Sequence, residues 1–302
     1  MVNLKVNIAG VEFKTPIITA SGTFGFGREY AKFYDLSILG GICTKGLTLR
    51  PRQGNESPRI AEATSGIINS VGLQNPGVDE FLRVENPYIK TLDTVVIANI
   101  AGDTVEDYIA VTEKINESDV KMVELNISCP NVKQGGMVFG VLPTSVEHIT
   151  AAVKKRCVKP LIVKLSPNVA SIADNARAAE NGGADAISLI NTLSAMEINW
   201  RTRRCVLANG RGGLSGPAIK PIALRMVREA YRAVKIPIIG MGGATSGEDV
   251  LEFMVAGAVA VQIGTINLYD PNAGKRVTNE LTKMLENSNI KGVAELVGTL
   301  ID

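Results

Sequence analysis

The sequence predicts an α/β protein, a (β/α)8 barrel of the TIM type. Eight short apolar runs recur along the 302 residues, helical patterns separate them, and every run ends on glycine or a polar residue. Near-continuous apolar runs suit strands covered on both faces, as in a parallel sheet enclosed by helices. Such a barrel needs about 250 residues, so this chain has length to spare for insertions.

The predicted strands are residues 16–20, 39–44, 95–100, 122–126, 161–165, 186–190, 236–240 and 258–263. Helix starts are marked between them. Thr104 and Asp107 have capping-box spacing ahead of Val105, Tyr108, Ile109 and Thr112, and Ser246 and Asp249 repeat it ahead of Val250, Phe253 and Met254. Ser171 can cap a helix running through Ala179 to Gly182 and Gly183. Pro221 suits the first turn of a helix carrying Val227, Ala230, Tyr231 and Val234. Runs 4–8 and 11–13 around Gly10 predict an N-terminal hairpin across the barrel bottom. Two insertions, residues 46–91 and 192–216, follow the second and sixth strands. No repeat, low-complexity tract or linker interrupts the pattern, so residues 1–302 read as one domain. A doubly wound open sheet is the alternative, but it rarely needs eight similar units.

Composition narrows the function. With 45% hydrophobic residues and a net charge of +2, the chain gives no electrostatic case for nucleic acid or an anionic membrane surface. No apolar stretch reaches the roughly 20 residues that span a bilayer. The N-terminus shows no signal-peptide pattern, and four unpaired-looking cysteines suit a reducing compartment. These features predict a cytoplasmic protein. Lys154, Lys155 and Arg156 fall at a helix end, where cations suit the dipole. Arg201, Arg203 and Arg204 flank the single Trp200 in what reads as a solvated loop. The single His148, beside Glu147, reads as a solvated helix face.

The strand ends carry the chemistry. In order they are Ser21-Gly22, Lys45-Gly46, Asn99, Asn126, Lys164, Asn191-Thr192, Gly242-Gly243 and Gly264-Thr265. One polar residue after a strand is ordinary turn chemistry. Eight of eight, at the face where such barrels hold their sites, calls for a ligand. Lys164, at the end of an apolar run, is costly to bury unless it meets an anion. The glycine ends of strands seven and eight predict a phosphate cradle of bare backbone N–H groups.

Cys129 follows Asn126 by three residues and opens a loop with Gly135, Gly136 and Gly140. No cysteine pair has metal-ligand spacing, and the lone histidine lies in a predicted helix, so neither a metal site nor a Cys–His dyad is indicated. A base removing a carbon-bound proton is the better reading of Cys129, and a small buried hydrophobe is the bland one. Cys43, Cys157 and Cys205 read as non-catalytic. At this level three enzymes fit: a flavin mononucleotide (FMN) enzyme using Lys164 beside the flavin, a Schiff-base aldolase using Lys164 or Lys45, and, most weakly, a phosphosugar isomerase. The isomerase needs a carboxylate or histidine base, and no strand end supplies one. No G-x-G-x-x-G dinucleotide fingerprint and no iron–sulfur cysteine set are present.

Nine segments together resemble one family, the class 1 dihydroorotate dehydrogenases, over nearly the whole chain. They are Ala20-Ser-Gly-Thr-Phe-Gly-Phe-Gly27, Thr44-Lys-Gly46, Asn69-Ser-Val-Gly-Leu-Gln-Asn-Pro-Gly77, Asn126-Ile-Ser-Cys-Pro-Asn131, Val163-Lys-Leu-Ser-Pro167, Ile190-Asn-Thr192, Gly213-Leu-Ser-Gly-Pro217, Gly240-Met-Gly-Gly243 and Ile263-Gly-Thr265. The pattern looks nearest to the catalytic subunit of the NAD-linked class 1B type, chiefly through Gly72-Leu-Gln-Asn-Pro-Gly77. The resemblance implies FMN across the barrel mouth, held by Ser21, Lys45, Gly46, Asn99, Asn126, Lys164, Ile190, Gly216, Gly242, Gly243, Gly264 and Thr265. It implies dihydroorotate bound by Lys45, Asn69, Ser70, Val71, Gly72, Leu73, Asn126, Asn191 and Thr192. Asparagines suit a ring of alternating amide N–H and C=O groups, and Lys45 suits the substrate carboxylate.

It further implies oxidation to orotate in pyrimidine biosynthesis. Cys129 would take the C5 proton as a thiolate, hydride would pass from C6 to FMN, and Lys164 would stabilise the arriving charge. The glycines after Cys129 would serve as hinges of a closing loop. Electrons would reach NAD through a partner subunit carrying flavin adenine dinucleotide (FAD) and a [2Fe–2S] cluster, in a heterotetramer of two of each chain. A fumarate-linked class 1A enzyme is the alternative.

Overall fold

The computed structural model describes residues 2–128 and 136–301. Eight parallel strands close into a barrel: Ile17–Thr19, Gly41–Cys43, Val95–Ile100, Met122–Asn126, Leu161–Lys164, Ala186–Leu189, Ile238–Met241 and Ala260–Ile263. They follow one another around the barrel in chain order, and the eighth pairs with the first. Every predicted strand is present, mostly trimmed by a residue or two at its ends. Nearly all of their side chains are buried, because the strands face the barrel interior on one side and the helical layer on the other. One hydrophobic core runs through both layers.

The start signals act as predicted. Thr104 and Asp107 complete a capping box on the helix Val105–Asn116, and Ser246 and Asp249 complete another on Gly247–Ala256. The Ser171 hydroxyl accepts from the Asp174 N–H at the head of Ile172–Asn181, which stops at Gly182. Pro221 lies in the first turn of Lys220–Ala233. His148 is exposed on the helix Pro143–Lys154, which ends at the cationic cluster. The N-terminal strands Val6–Ile8 and Val11–Phe13 pair antiparallel. The buried Phe13 ring packs where Gly41 begins the second strand, at the N-terminal end of the barrel.

The insertions behave differently from two separate loops. From the first come Ile60–Ala63 and Gly66–Asn69, and from the second Leu193–Ala195 and Gly212–Ser215. All four form one antiparallel sheet, with Gly66–Asn69 paired directly to Gly212–Ser215. This sheet stands beside the barrel mouth and has its own small core of Ala61, Ile68 and Leu207. Beyond it, Ile198–Asn199 and Arg204–Cys205 make a two-stranded hairpin with an exposed Trp200, over which Arg201 lies at 4.6 Å. No helix among the described residues is long and apolar enough to cross a membrane.

Candidate active site

A cavity of about 250 Å³ opens at the C-terminal end of the barrel, lined by residues from all eight strand ends. It has room for a planar small molecule in a largely apolar shell with a few directed polar groups. Ser21, Lys45, Gly46, Asn99, Asn126, Lys164, Ile190, Asn191, Thr192, Gly216, Gly242, Gly243, Gly264 and Thr265 all line it. The insertion sheet supplies one wall through Ile60, Ile67, Asn69 and Ser215, with Val71, Gly72 and Leu73 following.

Two expectations fare differently. Ser70 does not line the cavity. It is fully buried behind the wall, where its N–H donates to the Arg59 carbonyl and its own carbonyl accepts from the Asn55 amide. Extended backbone alternates sides, so Asn69 and Val71 face the cavity and Ser70 faces away. Gly140 is no open hinge. It lies in the helix Gly136–Val141, and a side chain there would come within 2.3 Å of the Ile127 carbonyl oxygen. Cys129 and Gly135 lie outside the described residues.

The glycine ends form a cradle. Gly243 has φ +80°, and a Cβ there would sit 2.7 Å from the Gly216 carbonyl oxygen and 2.9 Å from the Lys220 nitrogen. Only glycine allows that approach. A Cβ on Gly264 would meet only Ala20 and Thr23, both lining residues, and would occupy cavity space instead of wall. The seventh loop is pinned from behind. Asp249 accepts from the N–H groups of Thr245 and Ser246 and from the Lys220 ammonium at 2.6 Å. Burial works to raise the Asp249 carboxyl, but the Lys220 and Thr245 bonds outweigh it and hold it below its usual range. The cradle residues thus fit a phosphate group.

Beneath the mouth, Lys164 is 4% exposed, its ammonium 3.4 Å from the Ser21 hydroxyl and 3.8 Å from Glu124. Sequence reasoning missed Glu124. It is fully buried in the barrel and accepts from Asn99 at 2.6 Å, Gln262 at 2.7 Å, Ser188 at 2.8 Å and the Cys43 thiol at 3.3 Å. Cys43, Glu124, Ser188 and Gln262 come from strands two, four, six and eight. They form one of the four-residue layers that alternate strands build inside such barrels, where branched apolar residues are the rule. Burial favours a neutral Glu124, yet Lys164 and the hydrogen bonds from Gln262, Ser188 and Asn99 prevail and lower its pKa. Burial and then Glu124 push the Cys43 thiol well above its ordinary value, so it stays protonated and donates. The available signal was period two: Glu124 shares the inward face of its strand with Asn126.

Asn126 continues this network upward. Its amide N–H reaches the Asn99 oxygen at 3.3 Å, and its oxygen accepts from the Ser128 hydroxyl at 3.1 Å. Asn191 donates to the same Ser128 oxygen at 2.8 Å. No group of three or more His, Cys, Asp or Glu residues among those described could hold a metal ion.

A closed barrel with a glycine cradle, a buried lysine and an array of asparagines at its mouth has what an FMN-binding oxidoreductase barrel needs there. The comparisons with known proteins carry this to a family. The Dihydroorotate dehydrogenase family model matches residues 3–285. The "Dihydroorotate dehydrogenase B (NAD(+)), catalytic subunit" of Alkaliphilus metalliredigens is 54% identical over 299 residues, covering 99% of both chains. The proteins of the same name from Caldicellulosiruptor bescii and Geotalea uraniireducens are 55% and 50% identical, covering 99% of this chain and 99% and 98% of theirs. This chain belongs to the dihydroorotate dehydrogenase family, a family of FMN-dependent enzymes.

Proposed function

We propose that the cavity oxidises dihydroorotate to orotate, with Cys129 as the base and the electrons leaving through a partner subunit. The observation that carries this is the convergence of Lys45, Lys164, Asn69, Asn126 and Asn191 with the glycine cradle on one cavity. FMN, when bound, supplies the hydride acceptor. The cradle of Gly216, Gly242, Gly243, Gly264 and Thr265 would hold its phosphate through backbone N–H groups. Lys164 would offer it a fixed cation, already seated against Glu124 and Ser21. Lys45 would bind the substrate carboxylate, while Asn69, Asn126, Asn191 and Thr192 would meet the ring amides. Cys129, as thiolate, would take the C5 proton.

The Schiff-base alternative is weaker. An aldolase lysine attacks as a neutral amine, whereas Lys164 is paired with a buried carboxylate 3.8 Å away. The "catalytic subunit" in the relatives' names supports a partner for this chain as well. We read that partner as an electron-transfer subunit with FAD and a [2Fe–2S] cluster, two copies of each forming the assembly. The test is direct. The purified chain should be yellow, release FMN on denaturation, and lose its flavin absorbance when dihydroorotate is added without oxygen. A colourless protein that borohydride links covalently to a carbonyl substrate would establish the aldolase instead.

A further inference from the structure

We propose that Ser215 is a phosphate-binding residue supplied by the insertion sheet, its hydroxyl held by Thr265 and offering a proton to the phosphate in the glycine cradle. This rests on reading the cavity as an FMN site.

Ser215 ends the strand Gly212–Ser215, where pairing with Gly66–Asn69 fixes its backbone opposite Ile67. Extended backbone alternates sides. Leu214 packs against the small core of the sheet, and Ser215 lines the cavity. The strand leads directly into the cradle. Gly216 is the next residue, and its carbonyl oxygen lies 2.7 Å from where a Gly243 Cβ would be. A Cβ on Gly216 would itself sit 3.5 Å from the Thr265 methyl carbon. Ser215 is thus fixed beside both glycine loops, on the wall that faces them.

The hydroxyl chemistry gives the direction. Thr265 Oγ1 donates to Ser215 Oγ at 2.8 Å. Two hydroxyls carry two protons, and the bond between them uses one. With Thr265 as donor the spare proton is on Ser215, and no acceptor among the described residues takes it. The oxygens of an ionised phosphate are acceptors, and a hydrogen bond to an anion is among the stronger ones. What sets Ser215 apart from an ordinary wall serine is this tie to Thr265. It crosses the joint between the insertion sheet and the end of the eighth barrel strand.

The experiment strips the full-length chain of flavin and titrates it with FMN or with riboflavin, which lacks the phosphate, following the quenching of flavin fluorescence. Circular dichroism on the same samples checks the fold. The readout is the ratio of the two affinities, which a general loosening of the wall leaves unchanged. Ser215→Ala is expected to weaken FMN about tenfold and to leave riboflavin within about twofold. Thr265→Val keeps the shape and removes the other hydroxyl, and it should cost less, because Ser215 retains its own proton. Unchanged FMN affinity in Ser215→Ala overturns the proposal, and so does an equal loss of FMN and riboflavin. A larger loss in Thr265→Val than in Ser215→Ala makes Thr265 the contact and overturns it too. Should Ser215→Ala fail to fold, Ser215→Cys carries the test, since a thiol fills the space but donates weakly, and the same FMN-specific loss is expected. A wild-type chain that binds neither flavin defeats the reading of the site itself, and this proposal with it.

Discussion

At the residue scale, Cys129 and Lys164 carry the sharpest expectations. Cys129→Ala should keep flavin and orotate and slow flavin reduction by dihydroorotate about 10²–10⁴-fold, the usual share of a general base. Stopped-flow reduction at the wild-type rate would remove Cys129 from that role. Lys164→Met should cost stability as well as function, because it strands a buried carboxylate whose partner is 3.8 Å away. Breaking such a pair costs about 3–5 kcal/mol. The double variant Lys164→Met with Glu124→Gln should recover most of that stability in urea unfolding, yet still reduce its flavin slowly. Full recovery of both would make Lys164 structural. Glu124 also makes stability depend on pH. Its native pKa lies below the ordinary value, so its stabilisation is complete above about pH 4.3 and drains away as the pH falls through the native pKa. The urea-midpoint gap between wild type and Glu124→Gln should therefore narrow from pH 7 toward pH 3, and a constant gap would argue against an ionised carboxylate. Lys164 was legible in the sequence because a cation ending an apolar run is anomalous. Glu124 stood in an equally apolar run and was passed over, because its four donors come from strands far apart in the chain.

At the element scale, the strands and caps were legible because their signals are local. A capping box needs four residues, and a buried strand four or five. The pairing of the two insertions was not, since Gly66–Asn69 and Gly212–Ser215 are far apart in sequence and neither predicts the other. Each alone is a short two-sided ribbon, and only their union gives a sheet wide enough to wall the cavity. The same distance hid the position of Ser70, whose side is set by where Gly66–Asn69 docks. The seventh loop offers a test at this scale. Gly243→Ala places a Cβ 2.7 Å from the Gly216 carbonyl at φ +80°. The loop must shift, at a cost of roughly 1–3 kcal/mol, and the cradle with it. Flavin content per chain should fall while the far-ultraviolet circular dichroism of the barrel is kept. Undiminished flavin would mean that the phosphate is held elsewhere.

At the scale of the whole molecule, the question is where the electrons go. The sequence carries no dinucleotide fingerprint and no cysteine set for an iron–sulfur centre. The cavity is walled by the barrel on one side and the insertion sheet on the other, and electrons must pass through this shell to a small acceptor or to a docked protein. The two routes predict different behaviour. If a partner takes the electrons, the chain alone should reduce an artificial dye with dihydroorotate but show no NAD-dependent turnover. Adding the electron-transfer subunit should then confer that turnover. If fumarate is the acceptor, it must enter the cavity that orotate has just left, and the chain alone should turn over with dihydroorotate and fumarate at a rate matching the dye. That single comparison separates them. Efficient fumarate reduction without a partner would overturn the partner reading, yet leave the roles proposed for Lys45, Lys164 and Cys129 as they stand, because proton removal and charge stabilisation come before the acceptor is met.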